Sequence, residues 1–127
     1  MKQITETSKS VEQATADLQE AVKKHGFGVL HVYDLKATLK EKGAPIDNEC
    51  RVLEVCNPQQ AQKVLSSDMS MNMALPCRVS VYEDDGQTKI GLMSPKEMLG
   101  MMSDRPELKV VAAEVEAAMQ RMIEDAK

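Results

Sequence analysis

The sequence predicts an α+β fold: a two-layer sandwich with two long amphipathic helices on one face of a mostly antiparallel sheet. Three observations carry that expectation. Apolar residues recur at helical spacing near both ends of the chain, at Val11, Ala14, Leu18 and Val22, and again from Leu108 to Ile123. Between these stretches lie short runs of period two, as half-buried strands require. Two of the runs are separated by Asp84-Asp85-Gly86, and Asp-Gly supplies the positive φ that a tight hairpin needs. A sheet with one covered face buries both helical stripes together.

In chain order, Lys2 to Thr7 reads as a short strand. The first helix is expected over about residues 9 to 25. Ser10 and Gln13 form a capping-box pattern near its start, and Gly26 suits the position just past its end. Phe27, Val29, His31 and Tyr33 then alternate with Gly28, Leu30 and Val32 as a second strand. Asp34 caps a short turn of helix from Leu35 to Lys42, which Gly43-Ala44-Pro45 stops. The run Arg51 to Cys56 is the next strand. Asn57 suits the N-cap and Pro58 the first position of a helix reaching Ser66, with Ala61, Val64 and Leu65 on one stripe.

Ser67 to Leu75 has no helical period, yet Met69, Met71 and Met73 alternate, so a loop or ragged strand is expected there. Cys77 to Glu83 and Thr88 to Met93 make the hairpin. Ser94 caps a short helix from Lys96 to Met101, with Pro95 at its entrance. Asp104 and Glu107 form a second capping-box pattern before the final helix, whose stripe runs through Leu108, Val111, Ala112, Val115, Ala118, Met119, Met122 and Ile123. Burying each large apolar side chain is worth about 1.5–3 kcal/mol, so this helix must cover a sheet or a partner.

The chain has 127 residues, 43% of them hydrophobic, which is enough for one core and too few for two ordinary domains. A single domain spanning residues 1–127 is expected. Lys and Arg number 16 against 20 Asp and Glu, and a net charge of −4 argues against a surface built to neutralise phosphates. Nucleic acid is therefore not an expected partner. No apolar stretch approaches the roughly 20 residues of a membrane span, and Met1-Lys2-Gln3-Ile4-Thr5-Glu6 has no apolar export region. A soluble, cytoplasmic protein without a membrane partner is expected.

The cysteines Cys50, Cys56 and Cys77 form an odd set, which suits a reducing compartment. On a single strand Cys50 and Cys56 would lie roughly 20 Å apart, beyond the reach of a disulfide. Cys56 with Cys77 is the pair that carries the functional question. A strand ending just before a helix aims the Cys56 thiol at unsatisfied backbone N–H groups, which favours thiolate if the residue is exposed. If Cys56 faces the core, desolvation raises its pKa and leaves it inert. Pro76 belongs at a strand start, so antiparallel strands would bring the end of one cysteine strand beside the start of the other. Such a pair serves equally as a redox couple, a soft-metal site or a holder of bound sulfur, and the spacing does not choose. Zinc is not indicated, since two ligands without a CxxC or HxxxH motif fall short of four.

Ten methionines against an aromatic content of 2% are unusual. Met71 and Met73 with Cys56 and Cys77 make an alternative Cu(I) set, because soft ligands select soft metals. The competing reading is that flexible Met side chains fill gaps in a core and interface short of aromatics. His31 is expected as a hydrogen-bonded core or interface residue, and His25 as a helix-end cation. Asp84 and Asp85 belong to the hairpin turn. No phosphate-binding glycine motif, GxSxG element or acid, base and nucleophile set is present, so the chain is not expected to be an independent enzyme.

Several segments together carry a resemblance. Gly26-Phe27-Gly28-Val29, Cys56-Asn57-Pro58 with Ala61 and Leu65, Leu75-Pro76-Cys77 with Val79, Val81, Tyr82 and Glu83, and Pro95 resemble the domain of unknown function 302 family over nearly the whole chain. The resemblance implies a β-α-β(4)-α fold similar to the TATA-binding-protein-like arrangement, with short helical inserts. It also implies a homodimer and a mainly prokaryotic distribution. That fold type implies no DNA binding. The matching motif positions direct attention to Cys56, Asn57, Pro58, Pro76 and Cys77, while Cys50 and the Met69 to Met73 run lie outside the pattern. The expected function is that of a small binding or accessory module holding a small ligand, or doing thiol chemistry, at Cys56 and Cys77. The alternatives are the Cu(I) protein and a purely structural homodimeric module. No cofactor is expected.

Overall fold

A computed structural model describes residues 1–127. In chain order the elements are β1 (Lys2–Thr7), α1 (Val11–Lys24), β2 (Gly28–Asp34), α2 (Leu35–Glu41), β3 (Cys50–Cys56), α3 (Pro58–Ser67), a 3-10 helix (Met69–Ala74), β4 (Cys77–Asp84), β5 (Gln87–Met93), α4 (Pro95–Met102) and α5 (Pro106–Ala126). The strands form one antiparallel sheet in the order β1-β5-β4-β3-β2. The fold is an α+β sandwich, as the alternating and helical periods predict.

Strand alternation decides which face the helices cover. Leu53 and Val55 of β3, Val79 and Val81 of β4, and Ile90 and Leu92 of β5 are all buried. They meet Leu18 and Val22 of α1 and Leu108, Met119 and Met122 of α5 in one hydrophobic cluster. The opposite face stays open, carrying Ile4 at 50% exposure beside Arg78, Tyr82 and Lys89. The hairpin turns on Asp85 and Gly86, whose φ angles of 51° and 77° are those of a two-residue turn matched to strand twist. Ser10 accepts a hydrogen bond from the Gln13 N–H at the start of α1, and Gly26, at φ 81°, follows its end. Asp34 caps α2 through the Ala37 N–H.

Three local expectations are corrected. Met69–Ala74 is a 3-10 helix, started by Asp68, whose carboxylate accepts from the Ser70 N–H and hydroxyl. Three residues per turn send Met71 into the core while Met69 and Met73 stay exposed. The capping box at Asp104 does not form. Arg105 is the N-cap of α5 without a side-chain cap bond, and Pro106 opens the helix. The Arg105 guanidinium instead donates to the Ser67 carbonyl, and the Ser67 hydroxyl donates to Glu107 at 2.9 Å. His31 is exposed rather than a core residue. A bulge between Val29 and His31 breaks the alternation, so Val29 and Val32 pack on the core and His31 meets Tyr33 edge-on, ring centroids 4.4 Å apart.

One carboxylate ties both chain ends to the sandwich. Glu116 of α5 accepts from Gln3 Nε2 at 2.6 Å, Ser94 Oγ at 2.9 Å and the Lys96 N–H at 3.1 Å. Burial pushes its pKa up, but those three hydrogen bonds to the ionised form outweigh it and hold the carboxyl below its usual range. A depressed folded-state pKa contributes stability above the unfolded value, and that contribution is lost as pH falls through the folded value.

Two measurements follow. In urea denaturation, Glu116→Gln lowers stability at neutral pH, and its difference from wild type shrinks as pH drops below the ordinary glutamate range; a constant difference contradicts the linkage. Leu53→Ala, at a position with no solvent exposure, costs about 2–5 kcal/mol in the same assay.

Candidate functional site

Cys56 is the last residue of β3 and Cys77 the first of β4. Because those strands run antiparallel with Val55 opposite Cys77, the exit of one lies beside the entrance of the other. Both cysteines line one small apolar cavity of about 30 Å³. Phe27, Val64, Leu99 and Val111 contribute hydrocarbon walls, and Asn57 and Pro76 complete the rim near the thiols. All three cysteines are free and half-buried. Cys50 sits at the opposite end of β3, across from Tyr82, away from this cavity.

The helix start beside Cys56 does not activate it. Asn57 accepts from the Gln59 and Gln60 N–H groups at 3.1 and 3.2 Å, so its side-chain oxygen takes the donors that a thiolate would need. Burial pushes the Cys56 thiol up. Burial lifts Cys77 further, to about 11, and the neighbouring Cys56 adds to the effect. Of the two alternatives for Cys56, burial therefore favours the inert one: both thiols are held neutral at physiological pH.

Of the motif residues, Cys56, Asn57, Pro76 and Cys77 line the cavity, whereas Pro58 is exposed at the first position of α3 and serves to start that helix. Sequence reading missed Gln60. Its Nε2 donates to Glu114 at 2.8 Å, which orients the amide, and its buried Oε1 accepts no hydrogen bond. Gln60 is a wall residue of the cavity. The only signal in the sequence was its position in the first turn of the helix after Cys56.

The alternative copper set does not assemble as written. Met71 is 1% exposed inside the core, while Met73 is 75% exposed. Met73 instead lines a second, outer groove of about 210 Å³, with Cys77 standing between groove and cavity as a wall of both. No three His, Cys, Asp or Glu side chains gather into a metal-binding group. No helix is long and apolar enough to cross a membrane.

Fold and cavity together define a small α+β protein in which two cysteines from neighbouring strand ends line one apolar cavity. Residues 3–126 match the model of the family described as domain of unknown function DUF302, and the chain belongs to that family. It is also similar to a crystal structure of an uncharacterized conserved protein DUF302 from Bacillus stearothermophilus. The two are 34% identical, the match covers 99% of this chain and 98% of that one, and the TM-score is 0.93. No curated protein matches the chain.

Alkylation of the native protein with iodoacetamide, followed by peptide mass mapping, measures the state of the thiols. Cys56 is expected to react more slowly than free glutathione at pH 7, Cys77 more slowly still, and both rates to climb with pH beyond 9. Rapid labelling of Cys56 at pH 7 would show an activated thiol and overturn this account.

Proposed function

We propose that the chain is a ligand-binding accessory module in which the whole of residues 1–127 acts as one domain, working as a homodimer in the cytoplasm. Its ligand is a small, largely apolar molecule held against Cys56 and Cys77. The observation that supports this reading best is the shared cavity: two thiols distant in sequence wall one apolar space, and Cys77 continues into the larger groove outside. Binding is favoured over thiol catalysis because burial keeps both sulfurs protonated.

The dimer is a finer part of the same reading. Ile4 and Tyr82 share the open sheet face with charges of both signs, Lys2, Glu6, Arg78 and Lys89. A two-fold axis through such a face buries the exposed Ile4 of both copies and lets Glu6 of each meet a cation of the other, a self-complementary pairing of the isologous kind. The purely structural alternative uses that face alone and leaves the cavity without a role.

Indole, small and apolar, is a suitable probe for the outer groove of about 210 Å³, since the inner cavity of about 30 Å³ is too small to admit it. In a ¹H–¹⁵N NMR titration, saturable shifts are expected at Cys77, Met98 and Leu99, and Leu75→Trp, which fills the groove, is expected to abolish those at Cys77 and Leu99. Scattered or absent shifts would reject ligand binding and leave the structural module. Analytical ultracentrifugation is expected to give a dimer for wild type and for the Cys56→Ser, Cys77→Ser double variant, and a monomer for Ile4→Asp; a wild-type monomer removes the homodimer.

A further inference from the structure

The open face of the sheet is not flat. Strand register aligns Ile4, Gly91, Ser80 and Val52 in one row across β1, β5, β4 and β3. Gly91 brings no side chain to that row, and a Cβ built on it would lie 3.2 Å from Ser80 Oγ and 3.4 Å from the Tyr82 ring. Glycine inside a strand gives up packing, and it marks a place where another group approaches the backbone closely. The result is a hollow of about 280 Å³ over Gly91, Ser80 and Val52, with Tyr82 at one side and hydrocarbon from Ile4 and Met93.

Two cations stand at one end of it. Lys2 precedes Ile4 by two residues on β1, and Arg78 precedes Ser80 by two on β4, so strand alternation sends both side chains out of the same face as the hollow they line. Their strands flank β5, which sets the two backbones roughly 10 Å apart. Neither Lys2 nor Arg78 takes part in an ion pair, whereas Lys89 on the same face is held by Asp84 at 3.3 Å. Glu54 is opposite Arg78 on β3 but is not ion-paired with it, and no carboxylate lines the hollow.

We infer that this hollow binds a flat aromatic carboxylate, its ring laid over Gly91 and its carboxylate between Arg78 and Lys2. The guanidinium fork matches the two carboxylate oxygens, and the flexible Lys2 stem brings a second charge from the other side. A ring resting on bare strand backbone covers apolar surface of Ile4, Val52 and Met93 that is otherwise wet. The hydrocarbon favours an aromatic acid over inorganic phosphate, and the unpaired cations favour it over a neutral ring. This site is separate from the cavity and groove beside Cys77. The proposed homodimer covers the same sheet face, so the aromatic acid and the partner copy compete for it.

The probe is 2-naphthoate, whose fluorescence is readable because the chain has no Trp. Wild type is expected to bind it saturably, with ¹H–¹⁵N shifts at Val52, Ser80 and Gly91. Arg78→Gln, at an exposed position, is expected to weaken binding at least about tenfold, as is replacing the probe by uncharged 2-naphthol. Gly91→Val fills the floor and is expected to abolish it. Leu75→Trp closes the outer groove, which Arg78 and Met93 also line, and is expected to leave naphthoate binding unchanged. Glu6→Lys sets like charges against the partner's cations, so it is expected to be monomeric and to bind naphthoate at least as tightly as wild type.

No saturable binding in wild type and Glu6→Lys alike, binding indifferent to Arg78→Gln, or loss of binding in Leu75→Trp overturns the inference. A wild-type monomer that binds naphthoate removes the homodimer alone. Failure to bind indole with naphthoate binding intact removes the groove ligand alone.

Discussion

The antiparallel pairing of β3 with β4 sets Val55 opposite Cys77, and much else depends on that register. A slip of one residue would turn Leu53, Val55, Val79 and Val81 from the helices to the open face, so the core enforces the alignment. The same alignment puts the exit of one cysteine-bearing strand beside the entrance of the other. Stability and the candidate site thus share one cause. Leu53, Val55 and Val81 are fully buried under α1 and α5, while the cysteines sit at the strand ends, where that packing thins into a cavity.

The chemistry of the junction follows from its surroundings. A helix starting just after a cysteine is often a thiolate-stabilising device, but here Asn57 occupies the leading N–H groups of α3. Hydrocarbon from Phe27, Val64, Leu99 and Val111 does the rest, lifting both thiols above their ordinary values. What remains is a pair of neutral, polarizable walls. Gln60 adds a single unpaired acceptor, and the methionines outside Cys77 add soft sulfur without charge. Such a lining suits recognition of soft or apolar partners better than acid–base work.

The family match and the similarity to the Bacillus stearothermophilus structure extend over almost the whole chain and agree with the architecture derived from periodicity. Neither carries an activity, so the functional reading stands on the local physics of the cavity and groove. The node at Glu116 shows how the ends of the chain are held to that frame. It joins β1 and the start of α4 to α5, and α4 carries Met98 to the groove.

The elements were legible in the sequence because local signals and the fold agree. Helical stripes marked α1 and α5, Asp85-Gly86 marked the hairpin, and Asn57-Pro58 marked the start of α3. Where local and tertiary forces part, sequence reading failed. The bulge in β2 turned His31 outward, the 3-10 helix drew Met71 inward, and Arg105 anchored α5 through Ser67 in place of the cap expected at Asp104. For the candidate site, residue types at Cys56, Asn57, Pro76 and Cys77 were readable, but their meeting required strand register, which is a property of the whole sheet. The thiol protonation and the meeting of residues from separate segments in the walls of cavity and groove were decided by tertiary structure alone, because desolvation and proximity depend on neighbours far away along the chain.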